Sequence, residues 1–256
     1  VARLNGSHAT LNWHADAIRL IRKAVPDIPI LLDMPGRKIR TAKQGTNRQV
    51  RRGDSIVFTS SPQTMKSDKI VVITPNLSER VAVGDLVQID DGNLRLIVDN
   101  IESENVECIA QNDWTLLDAK GFHFSGLRLN VASVTDHDKL LMDFAIEQGV
   151  DFVGASFVET ADDVEVIRAH VGVDGPGIIA KIETESAVAE VVSIAASADA
   201  LMIDRGDLSV ETNIHEVALL QKRVLLAANA VFVPVIVATE ILQSMITNPI
   251  PTKAEV

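Results

Sequence analysis

The sequence is poor in cysteine, in long apolar runs and in positive charge, and each shortage excludes something. A single cysteine, Cys108, rules out an internal disulfide. With no triad-like context around it, the residue reads as an inert core thiol of a reducing, cytoplasmic compartment. No apolar stretch reaches the ~18 residues that a membrane-spanning helix needs, so no membrane partner is expected. A net charge of −11 disfavours broad contact with nucleic acid or an anionic membrane surface. It leaves room for a local basic pocket facing a phosphorylated ligand. The opening "VARLNGSHAT" has no initiator Met and no basic n-region. It reads as a strand already under way, and "PTKAEV" stops where a helix would begin. The expectation is therefore of a chain cut from a longer protein.

What the sequence does have is 46% apolar residues over 256 positions, enough for a large core. "HADAIRLIRKA" (14–24) shows helical apolar spacing, and "IPILLDM" behind Pro26 and Pro29 is an apolar run of the buried parallel-strand kind. The rhythm returns after about residue 120. "SVTDHDKLLMDFAIEQG" reads as a helix with Ser133 as N-cap and Gly149 just past its end. "VDFVGASF", "GIIAKIE", "ADALMID" and "VPVIVAT" read as strands separated by helices. Alternating β and α at this pace predicts a parallel sheet covered by helices, of the (β/α)8 barrel type. Six strands are counted, two short of closure. Between about Ala42 and Ala119, short alternating strands punctuated by "GD" and "DDG" predict an inserted antiparallel β domain. The expected division is 1–41 and 120–256 for the barrel and 42–119 for the insert.

In a parallel barrel the chemistry lies at the C-terminal ends of the strands. Those positions carry Arg3, Asn5, Ser7 and His8, then Asp33 with Arg37, Lys38 and Arg40, then Lys181 and Glu183, then Asp204 to Asp207, then Thr239. In "AKIETES", Lys181 and Glu183 stand two apart and point to one face of a strand. Buried there, they form a structural ion pair or hold a metal and a substrate. Glu183 and Asp207, expected on neighbouring strands, offer oxygen ligands without His or Cys, which favours Mg²⁺ or Mn²⁺. Gly206 opens a "GDLS" turn whose N–H groups suit a phosphate or carboxylate. Each feature alone has a plain reading as an exposed pair, a turn or a capping residue. Their convergence on one rim argues for a site.

These segments resemble the pyruvate kinase family. "VARLNGSH" is similar to its V-A-R-x-N-F-S-H-G, "LLDMPGRKIRT" to L-D-T-K-G-P-E-I-R-T, and "GVDFVGASFVETADDVEVIR" to G-V-D-x-x-A-S-F-[IV]-x-x-x-x-D-V. "AKIETES" resembles S-K-I-E-N-x-E, "RGDLSVE" resembles R-G-D-L-G-x-E, and "VATEILQSMITNPIPTKAEV" resembles A-T-Q-M-L-E-S-M-x-x-x-P-x-P-T-R-A-E. The insert falls where that family's lid domain lies. The resemblance implies phosphoryl transfer from phosphoenolpyruvate to ADP, giving pyruvate and ATP, by a cytoplasmic glycolytic enzyme that is expected to be a homo-oligomer. It implies Lys181, Thr239 and Arg3 as catalytic residues, and Gly206, Asp207, Thr239 and Ser156 as contacts to phosphoenolpyruvate. Arg40, His8, Asn5 and Lys120 would face the nucleotide. Glu183 and Asp207 would hold the divalent metal, and Asn5, Ser7, Asp33 and the Met34 carbonyl would form a monovalent-cation site.

Departures from the family's pattern are specific. Lys38 stands in place of its glutamate in G-P-E-I-R, and an ammonium there supplies the charge potassium would bring, so potassium is expected not to be required. Gly6 replaces a phenylalanine, Pro35 and Arg37 replace the Lys and Pro of K-G-P, and Glu159 stands where a basic residue is common. Asp204 replaces the alanine of V-A-R-G-D, adding a carboxylate that would repel a triphosphate. "KIETESAVAEV" with "DRGDLS" is also similar to segments of 2-oxoacid aldolase and citrate-lyase-like barrels. A metal-dependent lyase acting through a pyruvate enolate is thus a second reading, and a non-catalytic paralogue a third.

Overall fold

The structure, a computed structural model, describes residues 1–61, 68–74, 76–90, 92–124, 134–212, 215–253 and 255. It divides into two compact units, Val1–Arg37 with Val131–Val256, and Lys38–Asn130.

In chain order, the first unit begins with β1 (Ala2–Asn5), α1 (Leu11–Ala24) and β2 (Ile30–Met34). The second unit contributes β3 (Asn47–Val50), β4 (Ser55–Thr59), β5 (Ile70–Val71), β6 (Leu86–Ile89), β7 (Leu94–Glu102), β8 (Asn105–Ala110), β9 (Trp114–Leu117) and β10 (Phe122–Phe124). The first unit then resumes with α2 (Asp136–Glu147), β11 (Phe152–Ala155), α3 (Ala161–Val171), β12 (Gly177–Ile182), α4 (Glu185–Ala189), α5 (Val191–Ser197), β13 (Ala200–Asp204), α6 (Arg205–Glu211), α7 (Val217–Ala230) and β14 (Val235–Ala238).

The expected parallel sheet is present. Its six strands lie in the order β1-β2-β11-β12-β13-β14, every pair parallel, with β1 and β14 as the two edges. Successive side chains on a strand point to opposite faces. Ile30 and Leu32, Val153 and Ala155, Ile178 and Ala180, and Leu201 and Ile203 therefore all join one large core with helical residues such as Ile18, Leu141, Ile167 and Val224. The other face holds only a small apolar cluster around Leu31, Ile179, Ala200 and Met202. Alternation places Arg3, Asp33, Ser156, Lys181 and Asp204 on that same inner face, towards the strand ends.

Threonines start four of the helices. Thr10, Thr135, Thr160 and Thr184 each accept a first-turn N–H, and Thr135 with Asp138 and Thr160 with Asp163 complete capping boxes. The α2 cap is thus Thr135; Ser133 lies outside the described residues. Gly149 follows α2 with φ +60°, as expected of a residue just past a helix end. The segment expected as one helix over "SAVAEVVSIAAS" is two, α4 and α5, meeting at Glu190.

One device recurs at the opposite end of the sheet. Asp151, just before β11, accepts from the Ile30 N–H (2.8 Å) and Arg22 (2.6 Å). Asp199, just before β13, accepts from the Ile178 N–H (2.6 Å) and Arg168 (2.7 Å). Each aspartate thus ties the start of the neighbouring strand to the last turn of the helix leading into it. Replacing either by alanine is expected to lower stability by about 1–2 kcal/mol in urea unfolding, modest because both sites are partly open to water. Burial alone would raise the Asp151 pKa, but the Ile30 N–H and Arg22 outweigh it and hold it below the usual aspartate value. A depressed folded pKa stabilises above the unfolded value and loses that contribution as pH falls. Asp151→Asn should therefore flatten the acid limb of the stability profile below about pH 4.

The second unit has its own core, including Ile56, Phe58, Leu94, Leu96, Leu116 and Phe122. Its main sheet runs β10-β6-β7-β8-β4-β5, with β3 and β9 forming a separate pair. The pairing is antiparallel as expected, except for β4 with β5, which is parallel. This unit takes in the described residues 38–41 and 120–124, which lie outside the 42–119 span expected from sequence. Arg40 bridges Gly121, the Thr41 N–H donates to the Lys120 carbonyl at 2.9 Å, and β10 pairs with β6. Asp90 and Gly92 form the expected turn between β6 and β7, both at positive φ; Asp91 lies outside the described residues. Cys108 is buried, and burial pushes its thiol up to about 12, which fits an inert core residue.

Candidate functional site

The site is built at the C-terminal ends of β1, β2, β11, β12 and β13. Lys181 is in β12 and Glu183 follows that strand directly, so two-residue alternation sends both side chains inward. Neither is exposed: the Lys181 side chain is 5% accessible and that of Glu183 0%. The Lys181 ammonium lies 2.8 Å from Glu183 Oε1, 3.3 Å from Asp204 Oδ2 and 3.4 Å from Asp33 Oδ2, and donates to Ser156 Oγ at 3.0 Å. Ser156 in turn donates to the Met34 carbonyl at 2.7 Å. Arg3 pairs with Asp33 Oδ2 through both Nε and Nη2. Glu183 Oε2 accepts from the Phe157 N–H at 2.6 Å, which fixes the carboxylate's second oxygen.

Burial alone would lower the Lys181 pKa, but the charges of Glu183, Asp33 and Asp204 overcome it and raise the value, so the ammonium keeps its proton. Burial raises the Glu183 pKa. Lys181 opposes this, while Asp207 and Asp204 add like-charge repulsion, and the carboxyl ends above its usual range. A carboxylate in full burial, with other acids against it, is a site prepared for a cation.

That cation has candidate ligands. One oxygen each of Glu183, Asp204 and Asp207 lies within 4.8 Å of the others. The donors are all carboxylates, which suits a hard divalent ion better than zinc. Glu183 and Asp207 suit such an ion by the chemistry and spacing of their carboxylates. Two sequence expectations need correction. Asp207 is not on a strand but in α6, and "GDLS" is not a turn, because α6 starts at Arg205, immediately after β13. The Gly206 N–H is engaged by Thr239 Oγ1 at 2.9 Å.

Thr239 follows β14 at φ +62°, rare for a β-branched residue and a common mark of a constrained site. Its hydroxyl donates to Asp204 Oδ1 at 2.9 Å, which brings it into the same cluster. Asn5 and His8 are exposed: Asn5 Oδ1 accepts the Ser7 N–H, and the His8 carbonyl meets His14 Nε2. Lys38, Arg40 and Lys120 belong to the second unit, where Lys120 pairs with Asp90 at 2.8 Å and Arg40 donates to the Ala119 carbonyl. Asp33, expected at a monovalent-cation site with Asn5, Ser7 and Met34, is here the shared partner of Arg3 and Lys181. Two departures from the family pattern meet each other, since buried Arg37 lies 3.2 Å from Glu159. The Phe157 N–H that holds Glu183 was not legible in the sequence, because a backbone donor carries no residue signature.

A parallel β/α sheet with a buried lysine and a cluster of carboxylates at its strand ends is the architecture of a β/α-barrel protein with a candidate cation site. The chain belongs to the pyruvate kinase family, matching the family model "Pyruvate kinase, barrel domain" over residues 1–256. It is 36% identical over 263 residues to a pyruvate kinase of Thermococcus litoralis, covering 100% of this chain and 55% of the relative. It is 38% identical over 266 residues to that of Geobacillus stearothermophilus, covering 100% and 45%. With the Leishmania mexicana enzyme it shares 36% over 267 residues, covering 100% and 54%. The chain spans about half the length of the curated relatives it matches. No helix among the described residues is long and apolar enough to cross a membrane.

Proposed function

We propose that this chain carries the reaction centre of an enzyme that moves the phosphoryl group of phosphoenolpyruvate to ADP, giving pyruvate and ATP. The observation supporting it most directly is the buried Lys181 ammonium held among Glu183, Asp33 and Asp204, with Asp207 completing a cluster of cation ligands. In this reaction the bond between phosphorus and the enol oxygen breaks, a new bond forms to the ADP oxygen, and the enolate carbon takes up a proton. Lys181 places a fixed positive charge where the enol oxygen becomes negative. Arg3, its guanidinium partly open to solvent and braced by Asp33, neutralises the phosphoryl oxygens. The Thr239 hydroxyl sits beside the carbon that is protonated. Glu183 and Asp207 would hold Mg²⁺ or Mn²⁺, which acts when bound as a Lewis acid on the substrate oxygens. Ser156 contacts the substrate through its link to Lys181. The family motifs give Asn5, His8, Arg40 and Lys120 the nucleotide contacts. The protein works in the cytoplasm as a homo-oligomer.

Potassium independence rests on Lys38 in place of the family's glutamate. A coupled assay with phosphoenolpyruvate, ADP and Mg²⁺ should show turnover in potassium-free buffer, with less than about a twofold gain on adding K⁺. No turnover without K⁺, restored by adding it, would remove this part of the reading. Pyruvate release from a hydroxy-oxoacid without nucleotide would instead assign a lyase. Failure of Mg²⁺ with oxalate, an enolpyruvate mimic, to raise the melting temperature would leave a non-catalytic paralogue.

A further inference from the structure

Asp204 is a buried carboxylate whose position is not explained by its local role. It stands at the N-cap of α6, where an aspartate ordinarily accepts a first-turn N–H, yet its side chain makes no such bond. The Gly206 N–H is capped instead by Thr239 Oγ1 from the neighbouring strand end. Released from capping, the Asp204 carboxylate turns to the inner face. Oδ1 there accepts from the Thr239 hydroxyl at 2.9 Å, and Oδ2 lies 3.3 Å from the Lys181 ammonium. It is 5% exposed and among the oxygens gathered within 4.8 Å with those of Glu183 and Asp207. The acids Asp33, Glu183, Asp204 and Asp207 outnumber the bases Lys181 and Arg3 by two, the charge of one divalent cation. Without Asp204 the excess would be one.

We propose that Asp204 is a third carboxylate ligand of the divalent cation, alongside Glu183 and Asp207, and sets the affinity of this site. The proposal rests on the reading of Glu183 and Asp207 as the metal pair. An added anionic ligand tightens binding of a hard cation and replaces one of its waters. The hydrogen bond from Thr239 holds the carboxylate in one orientation, leaving lone pairs on both oxygens for the ion.

The test is Mn²⁺ binding by the purified protein, followed through the paramagnetic resonance signal of free Mn²⁺, which needs no turnover. Asp204→Asn keeps the side-chain volume and an acceptor for Thr239, and should weaken Mn²⁺ binding about 10-fold or more. Asp207→Asn should weaken it at least as much. If wild type and Asp204→Asn bind within twofold of each other while Asp207→Asn does not, Asp204 is no ligand. If wild type binds no Mn²⁺, the underlying metal reading fails as well. A second measurement needs no variant. In a six-coordinate shell, three single-oxygen carboxylates leave about three exchangeable waters on bound Mn²⁺, whereas two leave about four. A count of four in the wild type overturns the proposal.

Discussion

Lys181→Met is expected to lower kcat for phosphoryl transfer by about 10²–10³-fold, the scale seen when a preorganised charge or donor at a developing oxyanion is removed. The same change should cost stability. Lys181 is the base that Glu183, Asp33 and Asp204 share, and all three acids are buried. Breaking a buried ion pair from one side costs about 3–5 kcal/mol, because the remaining charge is left without compensation. The loss should depend on pH with a definite sign. Burial already raises the Glu183 pKa, and deleting the lysine removes the main charge that opposes this. A group whose folded pKa lies above its unfolded value favours the fold at low pH and loses that contribution as pH rises through the folded value. The deficit of Lys181→Met relative to wild type should therefore be smaller at pH 5 than at pH 8 in urea unfolding. A variant that keeps more than a tenth of wild-type activity would show that the ammonium is not the charge on which transfer depends.

Gly6→Phe restores the residue of the family's motif and is expected to destabilise this chain. A Cβ at position 6 would lie 2.7 Å from Leu141 Cδ1 and 2.9 Å from the Asp33 carbonyl. Leu141 can change rotamer, although it is fully packed in the barrel core. The Asp33 carbonyl has less freedom, since β2 is hydrogen-bonded on both sides and that oxygen already accepts the Gly6 N–H at 2.8 Å. Overpacking of this kind costs about 1–3 kcal/mol, which in a chain of this size lowers Tm by roughly 2–12 °C. Gly6→Ala should fall in the same direction by less. Because Asp33 braces both Arg3 and Lys181, Gly6→Phe should also reduce turnover. An unchanged Tm would mean that Leu141 moves aside and that glycine is not required.

Strand and helix periodicity made most of the barrel unit legible, because a buried parallel strand must be apolar on both faces and a covering helix on one. Ile30–Met34 and Ala200–Asp204 are buried throughout, and the polar residues that interrupt such runs mark the site. The helix α1 begins three residues earlier than its apolar spacing suggested, because Thr10 caps it. Turn signals suggested an inserted unit over 42–119, whereas the compact unit spans Lys38–Asn130. The bonds that draw residues 38–41 and 120–124 into it link positions some eighty residues apart, and local patterning does not register them.

The sequence alone determined that Lys181 and Glu183 share a face, since alternation along a strand is a local property, and that oxygen donors of the right kind stand at successive strand ends. Only the tertiary structure decided which charges meet. Asp33, Asp204 and Glu183 converge on one ammonium, Arg37 finds Glu159, and Thr239 takes over the capping that leaves Asp204 turned inward. Those pairings depend on how neighbouring strands register against one another, and electrostatic energy in a buried site is set by separations of a few ångströms that no spacing along the chain encodes.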